Sequence, residues 1–253
     1  MAPNCEIRVI PVPLDGEILP GDDLAEKLAA ALRHQKLKLQ TGDVLVVKHK
    51  IVSKAEGQVV RLSSVNPSPA AKAWSRRSGS DVRVIELALS ESRRIVRKKK
   101  GVLITETRHG FVCANSGVDV SNIDGGKSAV LLPKNPDGAA ANLRSRLNRL
   151  FGSKIAVIIS DSFGRPWREG LTEVAIGVAG MKSLTNYAGR HDPHGYALHA
   201  SVEAVADEVA CAAGLVCGKL NRTPVCIVRG LAFQSGLGSA RELIRPAKND
   251  LFR

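Results

Sequence analysis

The chain has 253 residues, 44% of them hydrophobic, and 37 Lys and Arg against 24 Asp and Glu leave a formal charge of +13. That length and apolar content support a globular core, built as one large domain or two small ones. No run approaches the roughly 18 apolar residues of a membrane helix, and the N-terminus MAPNCEIRVI lacks the basic-then-apolar layout of a secretory signal.

The apolar start Ile7–Val12 predicts a first strand. GDDLAEKLAAALRHQ predicts a helix capped by Asp22 or Asp23, with Leu24, Leu28 and Leu32 on one face. DVLVVKHKIVSKAEG reads as a strand with a polar exit, and NPSPAAKAWSRRSG as a short helix opened by Ser68-Pro69. The segment from Asp81 to Lys98 is expected to be helical, with the basic run 93-RRIVRKKK-100 as a solvated helix end or surface turn. VLITETRHGFVCANSGVDVSN holds two short strands around a His-Gly turn, then a polar loop. PDGAAANLRSRLNRLFG is a helix with Leu143, Leu147 and Leu150 on one face and Gly152 at its end. The aliphatic strand of KIAVIISDSFGRPWREG follows, ending at Asp161-Ser162. TEVAIGVAG and PVCIVRG are further strands, and between them SVEAVADEVACAAGLVCG is a helix with Ser201 as its cap. The pattern is mixed α/β, without linkers or repeats.

A basic protein attracts polyanions. With only 5 Phe, 2 Trp and 2 Tyr, and no basic-aromatic strip for base stacking, phosphorylated small molecules suit it better than nucleic acid. The cysteines Cys5, Cys113, Cys211, Cys217 and Cys226 lack metal-ligand spacing, which favours reduced, mostly buried thiols over disulfides or zinc; with neither a membrane helix nor a signal layout, the expected address is cytoplasmic.

Three polar clusters each follow an apolar strand. Lys54, beside Ser53 and Glu56, can reach a phosphate as a point charge, although a surface lysine in a tight turn explains the same letters. The loop 114-ANSGVDVSN-122 carries Asn115, Asp119, Ser121 and Asn122, which suit a hard cation or a nucleotide and equally suit a turn. Asp161-Ser162 alone reads as well as a cap or a turn former. Together the clusters favour a Mg²⁺ or Mn²⁺ site made from one Asp in each of two strand-end loops plus a hydroxyl, with Arg165, Arg168 and Lys54 holding anionic oxygens. Neither G-x-x-x-x-G-K-[ST] nor a strand-linked G-x-G-x-x-G occurs. His191, His194 and His199 form a rival zinc set, but His-Asp-Pro-His breaks the helix that an i, i+4 pair requires, and a polar turn is the plainer reading. Ser162 lies outside any G-x-S-x-G elbow, which disfavours a hydrolase triad.

In order and spacing, GDVLVVKHKIVSKAEG, ETRHGFVCANSGVDVSN, ISDSFGRPWREG, VAIGVAG and ADEVACAAGLVCGK resemble the coenzyme F420-0:γ-glutamyl ligase family, from about residue 7 to about residue 231. The resemblance implies the stand-alone form, lacking a nitroreductase-like domain. It implies an α+β fold of two intertwined subdomains within one domain, residues 1–253, and a homodimer. The implied activity is a GTP-dependent ligation of L-glutamate to F420-0 through an acyl phosphate, with further γ-linked glutamates, Mg²⁺ or Mn²⁺, and K⁺ as an additional ion. By motif position, Asp119 and Asp161 match ligands of one divalent ion and Ser162 a hydroxyl ligand of a second. Asp161 and Lys54 carry the catalytic role. Lys54 and Asn122 match residues that contact GTP, as do His49 and Lys50, where the family often has small polar residues. The turn Asp15-Gly16-Glu17-Ile18 matches a nucleotide segment in place more than in letters. The stretch Cys217-Gly218-Lys219-Leu220-Asn221-Arg222 falls in a further nucleotide-contacting segment, but Lys219 stands where some members carry an acidic ligand of the second ion. A protonated ammonium cannot ligate a cation, so either the second ion is held by fewer protein groups and more water, or, as is expected, Lys219 replaces part of that ion's charge against the phosphates. Two other readings share these motifs: a γ-glutamyl ligase for another acceptor, such as a folate-type pterin, and a catalytically silent polyanion-binding protein.

Overall fold

The computed structural model describes residues 6–121 and 123–250. The first strand, β1 (Arg8–Val12), leads to helix α1 (Leu24–His34). Asp23 caps this helix by accepting the Glu26 N–H, whereas Asp22 serves the Leu19 N–H and Lys27. Leu24, Leu28 and Leu32 are all buried, as their i, i+4 spacing requires. Strand β2 (Val44–Lys48) is shorter than expected. Its apolar run VLVV is buried, and from His49 the chain winds into helix α2 (His49–Ala55), which buries His49, Val52 and Ser53 along one face. The segment expected to continue as strand and polar exit is therefore helical.

Strand β3 (Val59–Arg61) is followed by α3 (Pro69–Ser78), capped by Ser68 and closed by Gly79 in the left-handed region. Helix α4 (Val82–Ser90) ends early, and the expected helix up to Lys98 is replaced by β4 (Ser92–Lys99), an edge strand paired antiparallel with β5 (Val102–Thr107). In a helix the cations of RRIVRKKK would stack at i, i+3 and i, i+4 spacings. A strand separates them and places β-branched Ile95 and Val96 on a pleated surface, while the Lys and Arg side chains blunt the open edge. Strand β6 (Val112–Ala114) completes this three-stranded sheet, and β7 (Ser128–Val130) pairs with β3.

Helix α5 (Pro136–Phe151) precedes the hairpin of β8 (Ala156–Arg165) and β9 (Arg168–Met181). Strand β8 does not stop at Asp161 but continues to Arg165, so Asp161 and Ser162 are mid-strand residues, not loop residues. The short ladder β10 (Thr185–Asn186) with β11 (Val202–Glu203) leads to α6 (Val205–Cys217). Ser201 does not cap this helix, because the first turn begins four residues later, after Ala204, with no side-chain cap bond. β12 (Val225–Arg229) and β13 (Ser235–Gly236) finish the main sheet, whose order is β1-β12-β2-β8-β9-β13.

Within that sheet only β2 and β8 run parallel, and their facing runs VLVV and AVIIS are fully buried. Helix α5 packs on β8 and β9, and α6 on β1, β12 and β9, around the larger of two hydrophobic clusters. The smaller cluster gathers Leu62, Leu87, Leu103, Val118, Ala129 and Leu131 beside the β4-β5-β6 sheet. This is the mixed α+β architecture expected from the sequence. Among the described residues no helix is long and apolar enough to cross a membrane.

Candidate active site

Where parallel strands run side by side, ligands commonly sit beyond their carboxyl ends. Here Lys48 on β2 pairs with Ser160 on β8, and β2 then leaves the sheet as α2. Beyond Ser160, β8 has no paired strand on that side among the described residues. A cavity of about 800 Å³ opens there, lined by residues from the loop after β1, α2, the segment after β6, β8 and the end of α6. A register shift against β9 also falls between Ile159 and Ser160, where β9 carries one extra residue. Such bulges re-aim side chains beside functional sites. The free Ala175 amide at the bulge is taken by Asp207 of α6 at 2.8 Å.

Asp161 faces His49, with Oδ1 3.3 Å from Nε2, and accepts the Ser162 N–H at 2.7 Å. Burial opposes ionisation of this carboxyl, and the charge of Asp119 adds to that, but the His49 ring and the Ser162 amide outweigh both and hold it below the ordinary 3.8. Asp119 arrives from the other side. Asn115, Ser116 and Gly117 take consecutive left-handed conformations, and the buried Ser116 is tied to Thr105 and to the Ala88 carbonyl. Two backbone bonds to Val130 then fix Asp119, whose carboxylate receives Lys50 Nζ at 2.7 Å. Burial opposes its ionisation too, and Lys50 with the Ser121 amide lowers its pKa.

Ser162 donates to Glu173 at 2.6 Å and accepts from Lys219 Nζ at 2.6 Å. Lys54 reaches Glu17 at 3.3 Å. The cavity thus gathers Gly16, Glu17, Ile18, His49, Lys50, Lys54, Asp119, Asp161, Ser162, Cys217, Gly218, Lys219, Leu220 and Arg222. Asp15 and Asn221 are neighbours in sequence that do not line it, and Asn122 lies outside the described residues. Arg165 and Arg168 do not reach it either. Strand β8 rises about 3.3 Å per residue, so its continuation carries them to the hairpin tip, where Arg165 holds the Glu169 carbonyl.

Among the described residues no three His, Cys, Asp or Glu side chains form a metal cluster, so the zinc set His191, His194 and His199 is not assembled. Asp192 there accepts the His194 and Tyr196 amides of a polar turn. Two carboxylates near enough to repel, plus a hydroxyl, are an all-oxygen donor set that fits a hard divalent cation. The buried Cys113 thiol, pushed up to about 12 by burial and by the Asp161 charge, is no nucleophile.

The profile described as F420-0:Gamma-glutamyl ligase matches residues 15–230. The chain belongs to this ligase family. It is 44% identical over 252 residues to the coenzyme F420:L-glutamate ligase of Methanopyrus kandleri, covering 98% of each chain. It is 42% identical to the protein of that name from Methanothermobacter thermautotrophicus, covering 92% of this chain and 93% of the relative. With the Archaeoglobus fulgidus protein the identity is 39%, over 98% and 97% of the two chains.

Relative to the sequence reading, this family member has further groups at the site: Lys48, Ser160, Asp124 and Gly125 line the cavity, and Glu173 stands behind it. Glu173 had a signal. In the strand TEVAIGVAG it occupies a buried position, where a carboxylate requires partners.

Proposed function

We propose that the chain is a GTP-dependent, GDP-forming ligase that joins L-glutamate to coenzyme F420-0, with further γ-linked glutamates added by the same chemistry. One observation carries the reading: a single cavity combines the carboxylates of Asp119 and Asp161 with the cations Lys48, Lys50, Lys54, Lys219 and Arg222. That pairing suits a metal-bound triphosphate, and the volume suits a nucleotide. The relatives' names support the acceptor and the amino acid.

In the proposed reaction an oxygen of the acceptor carboxylate attacks the γ-phosphorus of GTP, and the bond to GDP breaks. The glutamate nitrogen then attacks the carbonyl carbon of the acyl phosphate, phosphate leaves, and the amine loses a proton. Lys54, Lys50 and Lys219 hold phosphoryl oxygens as point charges. Asp119, Asp161 and Ser162 would hold Mg²⁺ or Mn²⁺, which neutralises charge on the transferring group. His49, braced by Ser53 at 3.4 Å, orients Asp161. Placement and electrostatics account for the catalysis, and no enzyme nucleophile takes part. A homodimer belongs to the same reading, and light scattering on the purified protein tests it.

The decisive assay measures glutamate-dependent phosphate release from GTP with F420-0 and with a folate acceptor side by side. Release with F420-0 is expected. Release only with the folate would overturn the acceptor assignment, and release with neither would overturn the enzyme.

A further inference from the structure

Glu173 stands directly across the β8–β9 ladder from Ser162. It is buried, 8% exposed, and does not line the cavity. Its carboxylate collects three side chains: Lys48 Nζ at 2.5 Å, Ser162 Oγ at 2.6 Å and Ser160 Oγ at 2.9 Å. Helix α6 makes room for it with Gly214, where a Cβ would lie 2.6 Å from Glu173 Cγ. A charge removed from water this far is costly unless it is paired and hydrogen-bonded. Lys48 and the two hydroxyls supply that pairing: an ammonium at 2.5 Å and two O–H donors hold the carboxylate in its ionised, accepting form.

An ionised carboxylate only accepts hydrogen bonds. Ser162 must therefore spend its one hydroxyl proton on Glu173, behind the strand, and what it offers the cavity is a lone pair. A cation already stands at that lone pair, since Lys219 Nζ donates to Ser162 Oγ. Without Glu173 the hydroxyl could rotate and donate to a phosphate oxygen instead. We propose that Glu173, braced by Lys48, is a positioning residue that fixes Ser162 as a cation acceptor, so that a cation and not a bare phosphate oxygen sits against it. This rests on the metal–nucleotide reading of the cavity.

The test is a double-mutant cycle of Glu173→Gln and Ser162→Ala, read by Mn²⁺ titration in the presence of GDP and by thermal unfolding. The carboxamide of Gln can donate to Ser162 and release its proton toward the cavity. Each single variant is expected to weaken Mn²⁺–GDP binding about tenfold, and the double variant to bind as Ser162→Ala does. If the penalties multiply, or if Glu173→Gln binds like the wild type, the proposal is overturned, whatever the change in thermal midpoint. Should Glu173→Gln fail to fold, Glu173→Asp carries the same cycle, because it keeps the charge for Lys48 and falls short of Ser162. A wild type that binds no Mn²⁺–GDP would sink the cavity's reading along with this one. A wild type that binds, with a multiplicative cycle, sinks this one alone.

Discussion

Lys50 and Asp119, brought together from α2 and the segment after β6, form an ion pair with Nζ 2.7 Å from Oδ2, and the same ammonium also reaches the Ser121 hydroxyl at 2.8 Å. An ammonium this close occupies the oxygen that a divalent cation would take. Lys50→Met is therefore expected to raise nucleotide-free Mn²⁺ affinity about three- to tenfold, by removing a competitor at a partly exposed carboxylate. Electron paramagnetic resonance titration of free Mn²⁺ measures it. Unchanged or weaker affinity would show that Lys50 does not compete.

Asp161→Asn keeps the shape of the side chain and an oxygen for the Ser162 amide, but removes the charge beside His49. Turnover should fall about a hundred- to a thousandfold, on the scale of lost electrostatic stabilisation in an active site. The circular dichroism spectrum should remain that of the wild type. Near-normal turnover would refute the metal role of Asp161.

Acid should unfold the protein through its paired carboxylates. Asp119, Asp161 and Glu173 all titrate below their ordinary values when folded. Their contribution is thus complete above the ordinary 3.8 to 4.5 and is lost as pH falls through the lower folded values. The urea midpoint of the wild type should drop below about pH 4.5, and Glu173→Gln, starting lower at pH 7, should drop less steeply. Parallel curves would remove Glu173 from this linkage.

Gly214→Ala would normally strengthen a helix by up to about 1 kcal/mol. Here the added methyl would meet Glu173 Cγ at 2.6 Å. Overpacking of about 1–3 kcal/mol should dominate, giving net destabilisation in urea melts and weaker Mn²⁺–GDP binding. A more stable variant would mean that Glu173 can shift freely.

The linear order of the residues was enough to delimit much of this protein. The Leu24-Leu28-Leu32 stripe, the Ser68-Pro69 entry and Gly152 beyond its helix are local signals, because a helix face repeats within one turn and a cap acts within three residues. The short motifs holding Asp119, Asp161, Ser162 and Lys54 were likewise legible, and the fold brings all four to one cavity.

What the letters left open depended on neighbours distant in the chain. The run RRIVRKKK became a strand because β5 offered a partner, and VLVVKHK split at Lys48 because β2 needed to pair with β8 only that far. Glu173 reads as one charge in an apolar strand until Lys48, Ser160 and Ser162 converge on it across the sheet. The same holds for Lys219, whose contact with Ser162 joins the end of α6 to the middle of β8. Periodicity and capping are settled by residues a few positions apart, whereas sheet pairing and the partners of a buried charge are set by which distant segments meet. Only the tertiary structure decides those.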